Sequence, residues 1–209
     1  MPDPSELTNA ILNGNAQAAA DITKEALNSG VDPQELVTKY MIPAMDTVGK
    51  RFECNEIFVP ELLIAARAMK SALELIRPKL AEAGAEPTGR VVIGTVKGDL
   101  HDIGKNLVAS MLEGGGFEVI DLGIDVPPEK FVEAVKEKKA KIVAISALLT
   151  TTMPMMKNTI EELKNAGVRD QVKIMIGGAP VTQQFADDIG ADGYSDNANG
   201  AVTMARQMA

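Results

Sequence analysis

One histidine and one cysteine, His101 and Cys54, are all the imidazole and thiol chemistry that this 209-residue chain holds. His101 lies in the stretch Lys97-Gly98-Asp99-Leu100-His101-Asp102-Ile103-Gly104-Lys105-Asn106, two residues after a carboxylate and three before a glycine. A zinc site takes three or four nitrogen, sulfur or oxygen ligands, so this inventory does not supply the usual one. A Ser–His or Cys–His nucleophile would have to be built on His101, there being no other imidazole. Asp99-x-His101 has a different physical content. A carboxylate that accepts from one ring nitrogen orients the imidazole and raises the basicity of the other nitrogen toward a metal. A single protein ligand does not hold a bare metal ion tightly, but it can complete the axial position of a metal already held by a macrocycle. Cys54 lies close to Glu53 and Glu56 and reads as inert, and a lone cysteine forms no internal disulfide.

The periodicity of the chain says where that loop lies. Residues 5 to 80 read as helix, in about four pieces packed as a small bundle. Asn13-Gly14-Asn15 and Ser29-Gly30 break it, and Asp32-Pro33 has the form of an N-cap with proline at the first helical position. A kink is expected at Pro43. Pro60 opens a long helix whose Leu62, Leu63, Ala66, Met69, Leu73 and Ile76 repeat at three and four. Residues 81–89 (AEAGAEPTG) read as a linker between a domain at 1–85 and another at 90–209. From Arg90 onward, five short β-branched runs alternate with amphipathic segments, ending in a helix from about Asn197. That pattern predicts a parallel sheet in an α/β architecture. The expected order is the flavodoxin-like (Rossmann-type) 2-1-3-4-5, with a crevice beyond the carboxyl ends of strands one and three.

Three strand ends then contribute to one crevice. The first carries Gly98, Asp99, His101, Asp102, Ile103 and Gly104. The third ends at Ser146, followed by Leu148, Leu149 and Thr150, with the Ser146 hydroxyl expected on the Asp99 carboxylate. The fourth ends in Gly177-Gly178, where the absence of side chains lets a bulky ligand approach the backbone. Plainer readings stand beside these. His101 is also a possible loop histidine, Ser146 and Thr150 are possible helix caps, and Gly177-Gly178 a possible strand-to-helix turn. Met153, Met155 and Met156 read as packing, Gly114-Gly115-Gly116 as a helix stop, and the Lys/Glu run at 130–141 as a solvated face.

Asp99-x-His101-x-x-Gly104, Ser146-x-Leu148 and Gly177-Gly178, in that order, resemble the cobalamin-binding domain of methionine synthase and of the corrinoid proteins of methyltransferase systems. Val48-Gly49-x-x-Phe52-Glu53 and Ile57-Phe58-Val59-Pro60-Glu61 are similar to the helical cap that precedes that domain. The resemblance covers nearly the whole chain. It implies a cap followed by a cobalamin domain, with methylcobalamin or a related corrinoid bound and His101 as the lower axial ligand of cobalt. It implies that Asp99 and Ser146 tune that ligand as cobalt cycles between methylated and reduced forms. It places the nucleotide tail near Ser146, Leu148, Thr150 and Gly177-Gly178, and puts the cap, through Phe58, Leu62 and Leu63, over the upper face. The function implied is a methyl carrier with no complete active site of its own. Its partners would be a substrate-specific methyltransferase, a second one using tetrahydrofolate or a thiol acceptor, and a reductive activator. The alternative is a cobalamin-based sensor or regulator. A mutase subunit would need a substrate barrel, and a receiver domain would want an acidic residue where Ser146 stands.

Composition agrees with these exclusions. A formal charge of −8 repels phosphate backbones and anionic lipid, which argues against nucleic acid and membrane partners. No apolar run approaches about 18 residues, and the N-terminus lacks the basic start of a signal peptide, so a cytoplasmic protein is expected.

Overall fold

The computed structural model describes residues 4–82 and 87–209. The chain divides into two compact units, residues 1–87 with Glu113–Gly116, and Thr88–Leu112 with Phe117–Ala209. Of the expected linker, 81–82 finish a helix, 83–86 lie outside the described residues, and 87–89 lead into a strand.

The first unit is helical: α1 (Ser5–Leu12), α2 (Ala16–Asn28), α3 (Pro33–Glu35), α4 (Ile42–Glu53) and α5 (Val59–Glu82). A π-helical turn, Leu36–Met41, joins α3 to α4, so the unit is built of four helical rods. Asn15 caps α2 by accepting from the Ala18 N–H, and Asp32 caps α3 by accepting from Gln34, with Pro33 at the first position. The irregularity expected at Pro43 takes a specific form. Proline offers no N–H to the preceding turn and its ring crowds that turn's carbonyl, and the widened π turn accommodates both. The Tyr40 carbonyl in that turn accepts from the Thr8 hydroxyl at 3.0 Å. Leu7, Ile11, Leu36, Met41, Met45, Leu62, Met69 and Ile76 are fully buried and form the core. Leu62 is therefore not available as a cover for a ligand, because helical spacing turns it inward. Phe58 and Leu63, also expected as cover, keep exposed surface.

The second unit alternates strictly. Its elements are β1 (Arg90–Thr95), α6 (Ile103–Gly114), β2 (Glu118–Asp121), α7 (Pro128–Lys138), β3 (Ile142–Ser146), α8 (Pro154–Asn165), β4 (Lys173–Gly177), α9 (Gln183–Ile189), β5 (Gly193–Tyr194) and α10 (Ala198–Met208). All strands are parallel, in the order β2-β1-β3-β4-β5. The runs Val91–Thr95 and Ile142–Ile145 are buried throughout, as strands covered on both faces must be. Met156 is fully buried and Met153 and Met155 pack against the same core, so these methionines fill space. The charged residues of α7 face solvent, while Phe131, Val132, Ala134 and Val135 face the sheet. Asn197 caps α10 by accepting from Gly200 at 2.7 Å.

Candidate functional site

Adjacent β1 and β3 connect outward to β2 and β4, so a crevice opens beyond their carboxyl ends. Thr95, Ser146 and Gly177 are in register there and mark the sheet's rim. Residues 97–102 leave β1 across that rim. The Asp99 N–H turns back to the Val96 carbonyl, and the Thr95 hydroxyl donates to the His101 carbonyl at 2.9 Å.

Asp99 is completely buried. Its Oδ1 accepts from the His101 backbone N–H at 3.1 Å and lies 2.7 Å from His101 Nδ1. Its Oδ2 accepts from the N–H groups of Leu148 and Leu149 at 2.8 and 3.3 Å and from the Thr152 hydroxyl at 2.7 Å. Burial pushes this carboxyl up, but the Thr152, Leu148 and His101 bonds outweigh it and hold Asp99 well below the usual carboxylate range. An ionised Asp99 only accepts, so in the neutral imidazole Nδ1 carries the proton and Nε2 presents its lone pair. The ring is 49% exposed, open to solvent on its other side.

Around it lies an apolar rim. Leu100 and Ile103 follow β1, Ile124 follows β2, and Leu148 and Leu149 follow β3. These are the exposed large hydrophobic residues of the second unit among the described residues. Such side chains are stable in water only at a cost, and their gathering on one edge marks a binding surface. Gly104, in the first turn of α6, adds a second sign. A Cβ there would meet no atom within 4 Å beyond its own chain neighbours and helix backbone, so packing gives no reason for the helix to forgo alanine. Among the described residues, no group of three or more His, Cys, Asp or Glu side chains converges as a metal site. The donor set is one imidazole nitrogen on an apolar face, which suits a metal that brings its equatorial ligands with it.

The other expected residues are placed as follows. Gly98 has φ +84° and donates its N–H to Asp125 Oδ1 at 2.7 Å. Asp102 immediately precedes α6 and accepts from the Asn106 amide at 3.2 Å. Ser146 does not bond to Asp99. The turn after β3 points its own N–H groups and Thr152 at the carboxylate, which leaves the serine hydroxyl no role there. Thr150 is exposed on that turn, and α8 has no side-chain cap, so neither Ser146 nor Thr150 caps it. Gly177 and Gly178 answer first to their neighbours: added Cβ atoms would meet the carbonyl oxygens of Ser195 and Ala147, and Gly178 has φ +136°. Sequence reading missed Thr95, Thr152, Asp125 and the buried Lys105, whose Nζ is 2.5 Å from Asp121 Oδ2 and 2.6 Å from Asn106 Oδ1. Three threonines stand at 150–152 with nothing but burial to single out the third.

Comparison with known proteins gives the family. Residues 89–203 match a family described as the B12 binding domain, and residues 5–77 match a second family of the same description. This chain belongs to the B12-binding family. Among similar corrinoid proteins, trimethylamine corrinoid protein 1 of Methanosarcina acetivorans is 49% identical over 201 residues, covering 95% of this chain and 93% of the relative. Dimethylamine corrinoid protein 1 of the same organism is 43% identical over 204 residues, covering 97% and 95%. The B12-binding fold also matches a chain in the methanol:cobalamin methyltransferase complex of Methanosarcina barkeri. The TM-score is 0.85 at 31% identity, covering 96% of this chain and 77% of that one.

Proposed function

We propose that this corrinoid protein carries a methyl group on a corrinoid whose cobalt is ligated by His101 Nε2, between a methylamine-class methyltransferase and a second methyltransferase. The observation that carries the reading is the Asp99–His101 pair, an ionised carboxylate fixing the proton on Nδ1 beneath a half-exposed ring. The names of the similar tri- and dimethylamine corrinoid proteins support the methylamine class of donor.

When bound, the corrinoid supplies a cobalt centre able to accept and release a methyl group. The chain's own residues do the rest. Asp99 holds the tautomer, and its five donors keep it ionised while it does so. Leu100, Ile103, Leu148 and Leu149 offer an apolar seat around the imidazole, from which a seated corrinoid would displace water. Gly104 leaves room beside it. In this reading Gly98, Asp102 and Ile103 shape the β1 loop, and the cofactor's tail runs along the β3 and β4 ends by Ser146, Thr150, Gly177 and Gly178. An acceptor enzyme using tetrahydrofolate or a thiol coenzyme and a reductive activator complete the set of partners.

Reconstitution with hydroxocobalamin tests the assignment. Because His101 is the chain's single histidine, heavy-nitrogen histidine labels that ring alone. Reduced to cobalt(II), the bound corrinoid should show an axial-nitrogen splitting in electron paramagnetic resonance that changes with the label, and that sensitivity to the label should vanish in His101→Ala. A splitting indifferent to both would overturn the ligand assignment. Methyl transfer should depend on a methylamine-class methyltransferase; transfer with only a methanol-class one would overturn the choice of donor.

A further inference from the structure

The turn between β2 and α7 carries chemistry that the axial-ligand reading does not use. Asp125 is one of the few residues other than glycine in the left-handed region, with φ +52°. A residue with a Cβ is strained there and persists only where its surroundings hold it. Two bonds hold it, both to the β1 loop. The Asp125 N–H donates to the Asp99 carbonyl at 3.0 Å, and its carboxylate accepts from the Gly98 N–H at 2.7 Å. The next residue, Val126, bridges to Val96, and the Gly123 carbonyl accepts from the Thr95 N–H. Glycine would relax this turn but would forfeit the carboxylate.

Resting on the axial-ligand reading above, we propose that Asp125 is a positioning residue for His101. It clamps Gly98 by its N–H and Asp99 by its carbonyl from the turn after the neighbouring strand, so that the backbone of Asp99 is as fixed as its side chain. Asp99 is then tied at every polar group: N–H to Val96, carbonyl to Asp125, carboxylate to the β3 turn and the imidazole. The histidine two residues on inherits that placement. Without the clamp, the imidazole keeps its carboxylate partner but the pair shifts relative to the apolar rim. The same turn carries Ile124 on that rim, so one element sets both a wall of the seat and the height of the ligand.

The substitution Asp125→Gly keeps the left-handed backbone and removes the acceptor; Asp125→Asn keeps an acceptor without its charge. In the full chain loaded with cobalamin and heavy-nitrogen histidine, the readout is the fraction of cobalt(II) showing the label-sensitive splitting. Asp125→Gly should lower the ratio of ligated to unligated cobalt about tenfold, the low end of what outer partners of a ligating histidine contribute. Asp125→Asn should fall between it and the parent. Ligation in Asp125→Gly equal to the parent overturns the proposal, even if that variant melts earlier, since a merely structural role moves only the melting. Should Asp125→Gly fail to fold, Asp125→Asn decides alone, and ligation equal to the parent again overturns the proposal. If the parent itself shows no label-sensitive splitting, the axial-ligand reading falls and this inference with it. A ligating parent beside fully ligating variants defeats this inference only.

Discussion

Asp99 gathers five donors onto two oxygens, and that surplus decides what a conservative change does. In Asp99→Asn the amide has one accepting oxygen. If that oxygen faces Thr152 and the β3 turn, its NH2 faces His101 and needs an acceptor at Nδ1. The ring proton then moves to Nε2, which removes the ligand lone pair without changing the side chain's shape. The expected result is a folded protein whose affinity for corrinoid, through the axial bond, drops about 10- to 100-fold. Isothermal titration with hydroxocobalamin measures it, and wild-type affinity in Asp99→Asn would sink the tautomer argument. The same carboxylate has a signed effect on stability. Its folded pKa is depressed, so its contribution is complete above the ordinary carboxylate value and lost as pH falls below it. The Asp99-x-His101 half of this site was legible because two residues of spacing bring the groups together. Thr152, 53 residues from Asp99 in sequence, was not, since only the fold of the β3 turn brings it back.

At the scale of elements, the end of β2 and the turn after it brace the β1 loop from both sides. Asp125 holds its start, and Asp121 holds Lys105 just beyond its end, on α6. The pair is asymmetric: the Lys105 side chain is 1% exposed and Asp121 41%. Removing the lysine leaves a carboxylate that water can solvate and that still accepts from the Gly123 N–H. Removing the carboxylate leaves a buried ammonium with the neutral Asn106 amide oxygen as acceptor and no counter-charge from Asp121. Asp121→Ala should therefore cost about 1–3 kcal/mol, the range for leaving a buried polar group short of a partner, and Lys105→Met distinctly less. Urea unfolding of the two variants checks the order; equal losses would show that burial does not set it. The strands themselves were legible, because runs such as Arg90-Val-Val-Ile-Gly-Thr95 are apolar on both faces. The π turn before Pro43 was not. A proline announces a disturbance, but the packing of α1 through Thr8 and the burial of Leu36 and Met41 bear on which form it takes.

At the scale of the whole molecule, a ligand that binds only the folded chain adds its binding free energy to global stability. Gly104 makes this measurable, because there the two terms oppose. Its Cβ position is empty of protein, and glycine in a helix costs about 0.5–1 kcal/mol relative to alanine. Gly104→Ala should thus raise the melting temperature of the corrinoid-free protein. If the empty space belongs to the corrinoid, the added methyl obstructs it. Corrinoid at about 100 times its dissociation constant stabilises the parent by about 2.7 kcal/mol, and a variant that binds about 100-fold more weakly gains less than 1 kcal/mol. The melting order should then invert on adding hydroxocobalamin: variant above parent without it, variant below parent with it. Calorimetry on the two proteins in both states gives the four values. Curves that rise in parallel would mean that Gly104 is not at the corrinoid seat, and that the glycine three residues after His101 answers to something other than the ligand.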